Sequence, residues 1–356
     1  MRLRRLDLYV LSHVLALTGL VALALLAVQS FLAFVAEIDS VGQGGFSYVT
    51  ALAYTALMMP RGLYLMLPVI AMLGTLMGLG VLASQSELTA MRAAGISVMR
   101  IGGSTVLAGL VMALLCLLIG DWLAPEGQLR AEVLRNQAQY GSAAVAGERP
   151  LWLRQGADVI HIKQLRAEDH LGETEIFTLS SEQKLMAVSR IGEARFENGR
   201  WLLKDVQRTE FGAQSAQAQQ RSEQSWEGQL APEVLRLFVL ETKALSMRGL
   251  RQLIAYMDDN RLDASIYRLA FWRKAVAPLT VIALMLFTVP FVFGPLRSAG
   301  AGQRLLIGIL IGLSFYVVND IVVNTTQLYG WTPWASAGSP TLALFAVALW
   351  RLRRVS

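Results

Sequence analysis

The chain has 356 residues, of which 54% are hydrophobic and only 16% charged, against roughly 25% charged in an ordinary soluble domain. The missing charge is concentrated: no Asp, Glu, Lys or Arg falls in 8–36, 62–86, 101–120, 275–296 or 321–350, and 305–319 is a shorter gap. A membrane-spanning helix needs about 20 apolar residues, so these gaps exclude disorder, collagen-like repeats and a simple soluble globule, and indicate a polytopic α-helical membrane protein.

In chain order, six spans are predicted: 10–36, 52–84, 100–124, 268–293, 304–326 and 334–350. The first is too long for a signal peptide, lacks a small-residue cleavage site, and reads as a retained helix. The second contains Pro60 and Pro68, which predict a kinked or tilted entry. With both termini on one side, that side receives Arg2, Arg4, Arg5, Arg92, Arg100, Arg297, Arg304, Arg351, Arg353 and Arg354. Cytoplasmic loops carry the Lys/Arg excess, so both termini are predicted cytoplasmic and the large central segment external. The net charge of +6 is explained in the same way, with 126–266 carrying −2 and the remainder +8. No nucleic acid partner is needed to account for it.

The central segment 126–266 changes pattern. Apolar and polar residues alternate in 158–163 and 175–179, and Asn198-Gly199 stands between two strand-like runs, where both turn positions favour positive φ. Short strands at this spacing predict a β-sandwich or open roll. Residues 213–224 are polar and fit a loop or an edge strand. From Ser246 the period becomes helical, with Met247, Leu250, Leu253, Ile254 and Met257 on one face. The predicted domains are 1–125, with three spans and a connecting helix over 84–97; 126–266, the β domain with a short C-terminal helix; and 267–356, three further spans.

No catalytic signature is present: neither G-x-x-x-x-G-K-[ST], nor H-E-x-x-H, nor G-x-S-x-G occurs. The single Cys116 cannot form an intramolecular disulfide. His13, His161 and His170 are too dispersed to predict a metal site, and no cofactor is expected. Gly78 and Gly80 imitate part of a dinucleotide motif but lie in a membrane helix with no preceding strand. Gly74 and Gly78, like Gly308 and Gly312, are small residues four apart that let helices approach closely.

Residues 84–97 form a short link between spans two and three. They predict a helix with Ser84 or Ser86 at its start, Glu87 near its positive end and Gly95 as its stop. Leu88, Met91 and Gly95 fall on one face with Glu87 beside them, and an exposed apolar and acidic face of this kind suits docking into a partner's cleft. An interfacial helix lying on lipid is the alternative. On the opposite side, Arg61 opens span two, Arg130 and Arg135 follow span three, and Arg268, Arg273 and Lys274 open span four. Cations there run against the orientation rule. They either pair with Glu37, Asp39, Asp121 or Asp320, or bind the phosphate of an anionic lipid or glycolipid.

Four blocks carry a resemblance over essentially the whole chain: Pro68-Val-Ile-Ala-Met-Leu-Gly-Thr-Leu-Met-Gly-Leu-Gly80, Ser86-Glu-Leu-Thr-Ala-Met-Arg-Ala-Ala-Gly95, Gly120-Asp-Trp-Leu-Ala-Pro125 and Phe293-Gly-Pro-Leu-Arg-Ser298. With the three-plus-three layout around a β domain, they resemble the lipopolysaccharide export permeases of the LptF/LptG family, and its LptG branch more closely. The resemblance implies an inner-membrane subunit of an ATP-driven lipopolysaccharide extractor, paired with an LptF-like permease above an LptB-like ATPase dimer. An LptC-like single-span protein would lie alongside, and a periplasmic jellyroll would hand lipid to an LptA-like bridge. ATP hydrolysis would belong to the partner. Glu87, Leu88, Met91, Arg92, Ala94 and Gly95 would form the coupling helix. Arg61 and Arg135, matching basic family positions, would hold substrate phosphates with Arg130 and Arg268. Phe31, Phe34, Met66 and Tyr316 would line the acyl-chain cavity. Where some relatives carry lysines near the outer end of span one, this chain has Ala33, Asp39 and Ser40. The alternative within the family is the LptF-type partner subunit of the same complex; two rivals from other classes are a non-transporting cell-division-type scaffold, which normally has four spans, and a membrane enzyme acting on lipid.

Overall fold

The computed structural model describes residues 5–141, 150–167, 169–180, 182–212, 215–226, 232–239, 242, 245–294 and 299–355. Within these, contacts divide the chain into two compact units, one of residues 1–33, 58–127 and 265–356, the other of 34–57 and 128–264. Arg2, Arg4 and the end of the fourth motif block, 295–298, lie outside the described residues.

The first unit is helical. Its elements are most of α1 (Arg5–Glu37) and of α2 (Tyr48–Ser84), α3 (Glu87–Ala93), α4 (Val98–Leu118), a π-helical turn (Ile119–Leu123) leading into α5 (Ala124–Tyr140), which belongs to the second unit from residue 128 on, then, after the β domain, α8 (Ser265–Phe293), α9 (Ala301–Tyr329) and α10 (Pro333–Val355). Among the described residues, five helical stretches are long and apolar enough to cross a membrane: Arg5–Ser40, Tyr48–Ser84, Val98–Gln139, Ser265–Phe293 and Ala301–Thr325. The sixth predicted span corresponds to α10. Ser336, Gly338, Ser339 and Pro340 dilute its first half and Arg351, Arg353 and Arg354 charge its end, so composition does not place it with the other five. The composition change at 126 ends the apolar run but not the helix. Residues 126–140 offer Glu, Gln, Leu, Arg and Ala, which are good helix formers, and α5 carries on to Tyr140.

Packing in this unit uses the small residues that the sequence singled out. A Cβ on Gly78 would lie 2.9 Å from Val14 Cα, and one on Gly74 would fall on the Thr18 backbone. The α1 face that meets them is the stripe Asp7, Val10, Val14 and Thr18, all buried. Gly308 and Gly312 of α9 instead make room for side-chain ends of α2, the Leu73 and Met72 methyl groups, whereas Gly74 and Gly78 let the backbones of α1 and α2 approach. Hydrocarbon provides no hydrophobic drive between helices, so such close backbone approach supplies the dispersion contact that holds them. Thr280 and Thr341 hydroxyls, 2.8 Å apart, add a polar link between α8 and α10.

The second unit is built on one antiparallel sheet of eight strands: β1 (Leu151–Gln155), β2 (Asp158–Ile162), β3 (Leu165–Ala167), β4 (His170–Leu171), β5 (Thr174–Leu179), β6 (Leu185–Glu197), β7 (Arg200–Phe211) and β8 (Ala216–Trp226). Strand β6 organises it, pairing β5 and then β4 along one side and β7 along the other. The predicted Asn198-Gly199 turn closes the β6–β7 hairpin, with φ of 53° and 80° and Glu197 opposite Arg200. Midway along the same hairpin Asp205 takes a φ of 53° across from Gly192, a glycine position that lets the paired strands bend. The sheet is therefore curled. Its inner face carries Leu153, Ile160, Ile176, Ile191, Trp201 and Leu203. Residues 216–226 form an edge strand, almost wholly exposed because Gln, Ser, Arg and Glu fill most of it, and only Trp226 at its end packs against the core. Helix α6 (Pro232–Val239), which the sequence reading did not anticipate, and the expected α7 (Met247–Asp259) complete the core. The Ser246 hydroxyl caps α7 by accepting from Gly249 N at 3.0 Å, and the Tyr256 hydroxyl donates to Arg154 O at 2.7 Å.

Candidate functional site

The helix expected over 84–97, in the link between α2 and α4, is α3, Glu87–Ala93. Ser86 sits at the start of α3 with φ 63° and no side-chain cap. The Gly95 stop is as expected: φ is 82°, Gly95 N donates to Arg92 O, and Ile96 N reaches back to Met91 O at 3.0 Å. The expected exposed apolar face is corrected. Leu88 and Met91 are 3% and 9% exposed and belong to the core of the helical unit. The reason is local: burying each is worth about 1.5–3 kcal/mol, and their three-residue spacing turns both toward the core beside α2 and α4. What remains outside is small or polar: Thr89, Ala90, Arg92, Ala93, Ala94 and Gly95, with Glu87 half-buried at the edge.

Two residues of α1 that the sequence reading passed over meet this link and the helix α4 that follows it. The Tyr9 hydroxyl donates to Glu87 Oε1 at 3.0 Å. Asp7 accepts from Ser104 Oγ at 2.8 Å and from Arg100 Nη2 at 3.4 Å. The available signal was the helical spacing of Asp7 with Val10 and Val14. An acid on the packed stripe of an apolar helix requires donors across from it.

The basic positions divide. Arg135 of α5 faces Glu37 Oε1 at 3.4 Å and Ser40 Oγ at 3.3 Å, and its guanidinium stands 5.5 Å from the Tyr54 ring centroid. Glu37, one of the acids considered for Arg61, thus receives Arg135. Arg61 is half-buried in α2, while Arg130 and Arg268 are exposed. Arg273 donates to Asp320 Oδ1 at 3.0 Å, and Asn324 donates to the other carboxylate oxygen. Lys274 is 7% exposed, inside the bundle, with its ammonium 5.7 Å from the Tyr64 ring centroid.

Of the apolar candidates, Phe31 and Tyr316 are 65% and 62% exposed, and Phe34 and Met66 are half-buried. A groove of about 540 Å³ opens among α8, α9 and α10, lined by residues that include Phe287, Ile311, Phe315, Pro340 and Leu344. The sequence reading did not point to it. On the outer face of the sheet, Glu175 lies 3.4 Å from His161 Nδ1 and 3.2 Å from Lys163 Nζ. Partial burial pushes its carboxyl up, but the His161 hydrogen bond, Lys163 and Arg190 outweigh this and hold it below the ordinary carboxylate range.

Long apolar helices before and after an inserted, curled antiparallel sheet domain define a multi-pass membrane protein. The family described as "Lipopolysaccharide export system permease LptF/LptG" matches residues 8–354. The chain belongs to that family, whose members are transport subunits. It is 32% identical over 354 residues to the lipopolysaccharide export system permease protein LptG of Escherichia coli strain K12, covering 99% of this chain and 98% of that one. It is 30% identical over 349 residues to the LptG protein of Haemophilus influenzae, covering 98% and 97% respectively.

Proposed function

We propose that this chain is the LptG-type permease subunit of an ABC transporter that extracts lipopolysaccharide from the inner membrane and passes it to a periplasmic bridge. It pairs with an LptF-like permease, sits on an LptB-like ATPase dimer and is joined by an LptC-like single-span protein. Helix α10 serves as the sixth span. Both termini are then cytoplasmic, as the arginine distribution supports, and the β domain is a periplasmic jellyroll that delivers lipid to an LptA-like bridge.

The observation that carries this reading is the build of α3. A docking helix transmits force only if it is fixed to the element it must move. Leu88 and Met91 anchor α3 in the core of the helical unit, and Thr89, Arg92, Ala93 and Ala94 face outward. A shallow cleft of the ATPase therefore meets small and polar residues, with Glu87 and Arg92 supplying charge. Gly95 ends the lever. Closure of the ATPase on ATP moves α3, the attached spans narrow the lipid cavity, and the lipid is expelled upward. In that cavity Phe31, Phe34, Met66 and Tyr316 meet acyl chains, while Arg61, Arg130, Arg135 and Arg268 meet phosphates. A guanidinium suits a phosphate because two parallel N–H donors match two oxygens.

The test is co-purification with the partner permease and ATPase, followed by hydrolysis measured in nanodiscs with and without lipopolysaccharide. Lipid should stimulate hydrolysis, and Glu87→Lys should dissociate or uncouple the ATPase, since a site that accepts a carboxylate would face a like charge. A Glu87→Lys complex with full lipid-stimulated hydrolysis would refute the docking of α3.

A further inference from the structure

We infer that Tyr9 is a positioning residue for Glu87, and that through it α1 is the helix that follows α3 when α3 moves; this rests on the permease reading of α3. The starting observation is the 3.0 Å hydrogen bond from the Tyr9 hydroxyl to Glu87 Oε1, which joins residues 78 apart in sequence. A carboxylate has about four acceptor sites. Tyr9 occupies one, which orients the group and leaves the others for a donor on a docked protein.

The second observation is Asp7. It is 8% exposed and takes Ser104 and Arg100, both from α4, at 2.8 and 3.4 Å. Residues two apart on a helix do not share a face, so the first turns of α1 are held from two directions, by α4 through Asp7 and by α3 through Tyr9. Further along, Val14 and Thr18 are seated on Gly78 and Gly74 of α2. A helix held in this way cannot slide or rotate without breaking one of its contacts, so displacement of α3 is delivered to α1 as a whole. The Tyr9 ring has an aromatic neighbour on its own helix. It lies 4.3 Å from the His13 ring, and His13 Nδ1 is 3.0 Å from Tyr9 O.

Tyr9→Phe tests this because it removes one oxygen and keeps the ring with its His13 contact. Tyr9→Phe, Glu87→Ala, which removes the acceptor, and the double variant are prepared as full chains, alone in detergent and as the complex with partner permease and ATPase in lipopolysaccharide nanodiscs. In the chain alone, Tyr9→Phe should speed hydrogen exchange of the 87–93 amides by about two- to twelvefold, the range for the net loss of one typical hydrogen bond. Exchange in 104–116 should not change. In the complex, the ATPase should still co-purify while the ratio of lipid-stimulated to unstimulated hydrolysis falls. The double variant should be no worse than Glu87→Ala. Exchange unchanged by Tyr9→Phe, a wild-type stimulation ratio, or effects that multiply in the double variant would overturn the inference. If instead the wild-type complex shows no lipid-stimulated hydrolysis, the permease reading fails, and the exchange comparison still decides whether Tyr9 ties α1 to α3.

Discussion

Gly78→Ala tests the crossing of α1 and α2 with a single methyl group. The new Cβ would stand 2.9 Å from Val14 Cα, 3.1 Å from His13 O and 3.2 Å from Val14 N, all backbone atoms. Carbon atoms rest at about 3.5–4.0 Å, so α1 must retreat by roughly 0.6–1 Å along a stripe whose members Val10 and Val14 are fully buried. Overpacking of this kind costs about 1–3 kcal/mol, and a backbone neighbour, unlike a side chain, cannot rotate away. The control is Gly19→Ala in α1, where a Cβ meets nothing within 4 Å. Both changes gain the same helix propensity, about 0.5–1 kcal/mol, so their difference isolates the clash. The full-length chain should be unfolded in mixed micelles with increasing dodecyl sulfate and the two midpoints converted to free energy. Gly78→Ala should fall below Gly19→Ala by about 1–3 kcal/mol, and Gly74→Ala, whose Cβ meets Thr18 more closely still, should fall further. Equal stability of Gly78→Ala and Gly19→Ala would refute the close crossing.

Arg135→Ala leaves the Glu37 side chain, 14% exposed, without its cation. The cost should lie between that of an exposed pair and a fully buried one, about 1–3 kcal/mol, seen as faster amide exchange in 128–139; Arg135→Glu with Glu37→Arg should recover most of it, and no recovery would argue against the pair. Because the folded state holds the Glu175 carboxyl below its unfolded value, it binds fewer protons than the unfolded chain as pH falls through the carboxylate range. The stability it contributes is therefore full above the unfolded pKa of about 4.3 and is lost as pH drops through the folded value. Protection of β2 and β5 amides should decline over that acid window in the wild type and decline less in Glu175→Gln. Identical profiles would show that Glu175 does not carry this dependence.

Much of this protein follows from one-dimensional features. Charge-free runs of about 20 residues or more mark membrane helices because a buried backbone in lipid must satisfy its own hydrogen bonds, and Asn198-Gly199 marks the hairpin because both positions require positive φ. Gly74, Gly78, Gly308 and Gly312 could be read as packing positions from their spacing alone, and Gly95 as a stop from its place after a short periodic run. The tertiary structure decided what depends on a neighbour distant in sequence. Spacing puts Leu88 and Met91 on one face of α3, but only the core beside α2 and α4 determines that this face is inward, which moves any docking surface to Thr89, Arg92 and Ala93. Likewise the sequence supplies several acids and several arginines without pairing them. Proximity in the fold gives Glu37 to Arg135, Asp320 to Arg273, and Glu87 to Tyr9. Helices and turns are written in local spacing because their forces act over a few residues, whereas partner choice among charges is set by which backbones approach closely enough to bring them within hydrogen-bond reach.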